Sequence, residues 1–258
     1  MNIDKICNNY REFLEEFGAS SEGFCIRQDL HTIEVSERIA RILVSGNIGL
    51  LTDDEVISMY QIAGVEHFHR KLPLNVKVKQ FEHLLKVVGL NVSSAIDFGC
   101  GTGLLPVFLA KNMGWNMAGV DGWVDALSFC GDLSIERGAK VDLYNSHVSN
   151  TGIEEGSYEL AYAIDLIDCS REWQKIVREM VRVANKRVAI VYCLESGFRK
   201  IDPLDVIAEF TKSSATVDIF ECFDINGGTV KCVISATKNQ SASDSSSGLV
   251  VVRSAQLH

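Results

Sequence analysis

The chain has 258 residues, 47% of them apolar and 23% charged, with a formal charge of −9. That is enough apolar content for one sizeable α/β domain plus an extension. The acid surplus argues against a phosphate-backbone footprint, because no run of Lys or Arg supplies the cationic face that nucleic acid requires. There is no stretch of 18 or more apolar residues and no apolar leader after Met1, so a cytoplasmic chain without a membrane span is expected.

Helical spacing dominates residues 1–90. Ile6, Tyr10, Phe13, Leu14 and Phe17 form one stripe stopped by Gly18. Val35, Ile39, Ile42 and Leu43 form a second, and Asp53-Asp54-Glu55 opens a third at Val56. Residues 1–75 are therefore expected to cap one end of a sheet that they cannot themselves form. Within them, Tyr60 to Lys71 gathers His67, His69 and Arg70. A His-x-His pair on a helix points its rings about 200° apart, so no metal site is expected there. A polar helix face or a role in closing over a ligand remains. Phe81, Leu84, Leu85 and Val88 then predict a helix ended by Gly89.

From residue 95 the pattern alternates. Apolar strands are expected at 95–98, 116–120, 140–144, 158–164 and 187–193. Helices are expected at 104–110, 123–136 and about Trp173 to Val181. Strands separated by helices imply right-handed crossovers and a parallel sheet covered on both faces. After a helix from Pro203 to Phe210 the rhythm breaks, because strands at 216–223 and 229–236 are joined by hairpin chemistry at Asp224 to Gly228. Residues 239–258 open on a serine-rich stretch and are expected to be a flexible tail. Eight cysteines are scattered without a C-x-x-C pair, which predicts reduced thiols and no structural metal.

The most informative stretch is Ala95 to Gly103. An apolar strand runs into Gly99, Gly101 and Gly103, and a helix follows at once. Glycines let a ligand approach the backbone closely, and the helix N-terminus offers unpaired N–H groups. The dinucleotide fingerprint G-x-G-x-x-G would need glycine at Leu104, which weakens an NAD-dependent oxidoreductase. What stands instead is D-x-G-x-G-x-G, from Asp97 to Gly103. It resembles the first motif of the class I S-adenosylmethionine-dependent methyltransferases.

The resemblance implies a Rossmann-like, mostly parallel seven-stranded sheet with an antiparallel C-terminal hairpin, its last strand inserted beside the fifth. It implies a helical cap over 1–75, a cofactor-binding domain over 76–238, S-adenosylmethionine as cofactor and a small molecule as acceptor. The cofactor residues would be Asp97, Gly99, Cys100, Gly101, Gly103, Asp121, Gly122, Trp123, Ser146, His147 and Asp165. Asp121 ends the second strand, where a carboxylate can accept from both ribose hydroxyls. The acid expected after the third strand is replaced by Ser146-His147. Asp165 and Asp168 sit at the fourth strand's tip, where the family faces methyl and acceptor. His67, His69, His147 and Asp165 are the candidate bases. A cofactor-binding protein without catalysis is the rival reading.

Overall fold

A computed structural model describes residues 2–19, 37–45, 48–65, 73–194, 199–225, 229–239 and 251–254. Its strands are β1 (Ser94–Phe98), β2 (Asn116–Asp121), β3 (Val141–Asn145), β4 (Tyr158–Ile164), β5 (Ala184–Cys193), β6 (Ala215–Asp224), β7 (Val230–Lys238) and β8 (Val251–Ser254). They form one sheet in the order β3-β2-β1-β4-β5-β7-β6-β8. The first five pair in parallel. β7 is antiparallel to both β5 and β6, so it enters beside the fifth strand as the resemblance implied. The hairpin turn at 226–228 lies outside the described residues.

The helices are α1 (Ile3–Glu16), α2 (Glu37–Ser45), α3 (Asp53–Ala63), α4 (Leu74–Val88), α5 (Leu104–Met113), α6 (Val124–Arg137), α7 (Trp173–Val183) and α8 (Pro203–Lys212). α7 and α8 share an apolar core with one face of the sheet, and α1, α4, α5 and α6 share one with the other. Because both faces are covered, Val188 to Tyr192 of β5 are wholly buried, as their unbroken apolar run predicts.

α1 packs on α4 and α5, the helices that cover one sheet face. Its stripe places the Tyr10 ring 4.5 Å from Phe81 of α4 and 4.9 Å from Phe108 of α5. Burying each such side chain stabilises the fold by about 1.5–3 kcal/mol. The boundary expected between 75 and 76 accordingly falls in the first turn of α4, which packs on α1 and the sheet together.

The capping position belongs to α3. Thr52 and Glu55 close its N-terminus reciprocally: Thr52 Oγ1 accepts from Glu55 N–H at 3.2 Å, and Glu55 Oε2 accepts from Thr52 N–H at 2.8 Å. Arg38 of α2 grips Glu55 at 2.7 Å. The Asp53 carboxylate then ties α3 down beyond the β4 tip, accepting from the Ser170 hydroxyl and, at 2.7 Å, from Arg171 N–H.

Residues 251–254 depart from the flexible tail that composition predicts for 239–258. They form β8 and pair in parallel with Ile219 to Cys222 of β6. The apolar Val251-Val252 suits a strand edge, a local preference that the serine-rich stretch before it masks.

Candidate functional site

After β1 the chain turns through Gly99, Gly101 and Gly103 at φ of 72°, 51° and 71°, values that disfavour any side chain. The turn folds back on β2, where Val120 O accepts from Gly99 N–H at 2.8 Å and from Cys100 N–H at 3.2 Å. Two of these glycines are also required by space. A Cβ on Gly103 would stand 1.9 Å from Cys130 Sγ of α6, and one on Gly99 would stand 2.8 Å from Leu166 Cδ1.

Asp121 fastens this loop to the next. Its Oδ2 accepts from Gly101 N–H at 2.8 Å and its Oδ1 from Trp123 N–H at 2.9 Å. Burial pushes its carboxyl above the usual range, against the pull of the Trp123, Gly101 and Gly122 amides. The two carboxylate oxygens offer about four lone-pair sites between them, so acceptor capacity remains after these amides are served. Asp97 stands deeper. Burial raises it well above the ordinary value, the Tyr162 hydroxyl pulls it back, and the Asp121 charge adds to the rise.

Beyond the loop lies a cleft open to solvent, with about 460 Å³ of space between its walls and the outside. Gly99, Asp121, Gly122 and His147 form one side, with Leu166, Cys169 and Ser170 at the β4 end and Asp53, Val56 and Ile57 of α3 as the remaining wall. The sequence-expected residues therefore divide. Gly99, Asp121, Gly122 and His147 reach the cleft. Gly101 and Gly103 shape it from behind, and Cys100 turns its sulfur towards Gly119 of β2. Trp123 is 3% exposed and lies against Tyr60 of α3, ring centroids 6.3 Å apart, so it fastens the wall rather than facing the cavity.

Ser146 and His147 follow β3 where the acid was missing. The Ser146 hydroxyl oxygen is buried without a partner and lies behind the cleft lining, which His147 reaches. His147 is held by a relay. Its Nδ1 is 2.7 Å from Ser149 Oγ, and that hydroxyl donates to Glu172 Oε2 at 2.9 Å. The Lys175 ammonium and the Ser149 hydroxyl keep the Glu172 carboxyl below its usual range.

Asp165 does not join the cleft. It sits at φ 55°, a left-handed conformation rare outside glycine. Its carboxylate accepts from Gln80 Nε2 at 2.7 Å and pairs with the Lys231 ammonium. Lys231 is 4% exposed and Gln80 1%. A base already holding a buried cation is poorly placed to take a proton. Asp168 is buried. His67 and His69 lie outside the described residues.

Sequence reasoning placed the α3 helix and a cap over the sheet's end without naming Asp53, Val56 and Ile57 as a wall of the cleft, and it missed the Ser149–Glu172 relay and Lys231. The T-x-x-E box at Thr52 could have marked α3 as an anchored helix. Nothing local marks Lys231.

The acceptor capacity that Asp121 retains at the wall of the cleft fits the ribose of an adenosine-bearing ligand. Among the described residues no group of three metal-binding side chains converges, and no helix is long and apolar enough to cross a membrane.

Residues 95–187 match the family model of a methyltransferase domain. Among solved structures, magnesium protoporphyrin IX methyltransferase from Synechocystis with bound SAH is 13% identical, at a TM-score of 0.53 over 80% of this chain and 89% of that one. A Pyrococcus horikoshii protein is 15% identical, at a TM-score of 0.53 over 63% and 90%. The [4+2]-cyclase SpnF is 14% identical, at a TM-score of 0.50 over 60% and 80%.

Proposed function

We propose that the protein, whose residues 95–187 match a methyltransferase domain, is a class I S-adenosylmethionine-dependent enzyme that transfers a methyl group to a small-molecule O, N or C nucleophile by in-line displacement. The observation that carries this is the cleft, which unites Gly99, Asp121 and His147 under α3. S-adenosylmethionine supplies an already activated methyl. What remains for the chain is to align the acceptor with it and keep water out.

Asp121 binds the ribose with the lone pairs its two amides leave open. The Ser146 hydroxyl and His147 take the adenine edge in place of the acid that the family carries there. Lys175 and Ser149 hold the Glu172 carboxyl in its ionised form, so the Ser149 hydroxyl donates to it, while the Ser149 N–H donates to His147 Nδ1 at 3.3 Å and orients the ring at the cleft. The acceptor molecule meets the β4 end, near Leu166 and Cys169.

The test is titration calorimetry with S-adenosylhomocysteine and NAD, followed by transfer of labelled methyl to a panel of small nucleophiles. Binding of the first together with turnover supports the reading. Binding of NAD alone would overturn it.

A second reading is favoured by one observation, the Lys231–Asp165 pair, which removes the acid from the strand tip that faces methyl and acceptor in the family. The domain would then bind the cofactor without transferring its methyl. Tight S-adenosylhomocysteine binding without turnover would select it.

A further inference from the structure

Cys222 of β6 and Cys232 of β7 stand opposite each other in an antiparallel register. The phase of that ladder follows from its end, where Ile225 N–H donates to Thr229 O at 3.0 Å and makes 225/229 a hydrogen-bonded pair. Bonded and non-bonded pairs alternate along an antiparallel ladder, so 223/231 is bonded and 222/232 is not. β5 gives the same phase. Leu194 N–H donates to Val230 O at 3.1 Å, so residues 230 and 232 turn their peptide groups away from β6.

Non-bonded pairs bring Cα atoms to about 4.5 Å and side chains closest together, inside the span a disulfide requires. Here the two sulfurs are 2.8 Å apart. The two thiols differ in character. Cys232 is fully buried, whereas Cys222 is only partly so. The hydrogen bond from Cys232 holds Cys222 below its ordinary value, against burial and the nearby Glu221 charge. Elsewhere burial drives thiols the other way, with Cys7 pushed up to about 11 and Cys130 to about 12. The thiolate is the nucleophilic form, so Cys222 is set apart from those thiols.

We propose that Cys222 and Cys232 are an oxidisable dithiol, in which a hydroperoxide oxidises Cys222 and Cys232 closes a cross-strand disulfide. The Cys222 sulfur attacks a peroxide oxygen, the O–O bond breaks, and the remaining oxygen leaves as water or alcohol. The Cys232 sulfur then displaces hydroxide from the sulfenic acid. Two thiols and one hydroperoxide give one disulfide, one water and one alcohol or second water. The site is independent of the methyl-transfer reading. It does lie one residue from Lys231, whose ammonium holds Asp165 at the β4 tip.

The full chain, reduced and then treated with one equivalent of hydrogen peroxide, is expected to lose two hydrogens by intact mass. Peptide mapping should find the link between Cys222 and Cys232, and dithiothreitol should reverse it. Cys222→Ser should abolish the link. Cys232→Ala should leave a Cys222 sulfenic acid that dimedone traps, with circular dichroism verifying that each variant folds. Oxidation of other cysteines while Cys222 and Cys232 both remain open to alkylation would overturn the proposal. So would Cys222-linked dimers as the only product.

Discussion

Two acids end neighbouring parts of the same sheet, Asp121 after β2 and Asp165 after β4, and they are held in opposite ways. Asp121 is gripped by peptide N–H groups of Gly101 and Trp123, which take one lone pair on each oxygen and leave the carboxylate open to the cleft. Asp165 is gripped by side chains, a buried amide and a buried ammonium, one on each oxygen. Position at a strand tip therefore does not by itself make a carboxylate available. What else it must satisfy decides.

The largest effect is expected at the loop behind Asp121. Gly103→Val sets a branched side chain at φ 71° into Cys130, costing about 4–5 kcal/mol or more, so the variant should be unfolded in a denaturant series. A cooperative transition near that of the parent chain would contradict the close α5–α6 contact.

Lys231→Met comes next. Stripping the ammonium from the half-buried Asp165 carboxylate should cost less than the ~3–5 kcal/mol of a fully buried pair, whereas an apolar pair of similar volume is nearly neutral. The double variant with Asp165→Leu should recover most of the loss, and additive losses would show that the pair does not act as a unit.

Asp121→Ala removes two charged hydrogen bonds worth about 1.5–3 kcal/mol each. S-adenosylhomocysteine affinity should fall by about 100-fold or more in calorimetry. An unchanged affinity would reverse the contrast between the two acids.

Asp97→Asn is expected to act on pH dependence. Burial raises the folded carboxyl above its unfolded value, so folding takes up a proton. That contribution is present below the usual carboxylate range and is lost as pH rises towards the raised folded value. The variant should flatten the decline, and denaturant midpoints measured from pH 4 to 8 would reveal a persisting slope.

The glycine loop, Asp121 and the closing hairpin could be read in the sequence because their signals are local. Glycines at alternating positions, an acid at the end of an apolar run and an Asn-Gly turn each depend on a few adjacent residues. α1 shows the limit of such reading. Its stripe of Ile6, Tyr10, Phe13 and Leu14 says that one face is buried, but not whether it lies on a sheet face or across an end. Lys231 and Gln80 were illegible for a stronger reason. Each looks like an ordinary polar residue in its own element, and only folding brings Gln80 to an acid 85 positions away. The His147 relay falls between these cases. The missing acid drew attention to the right place, while Glu172 joins it only across the chain.

The addition of β8 changes what the sheet presents to other molecules. Without it the border would be β6, ten residues of strand with one row of peptide groups unmatched. With it, Ile219 to Cys222 in the middle of that strand gain a partner, and among the described residues the unmatched parts of β6 are cut to short pieces on either side, comparable to the five residues of β3 at the opposite rim. Short margins offer little template for a foreign strand.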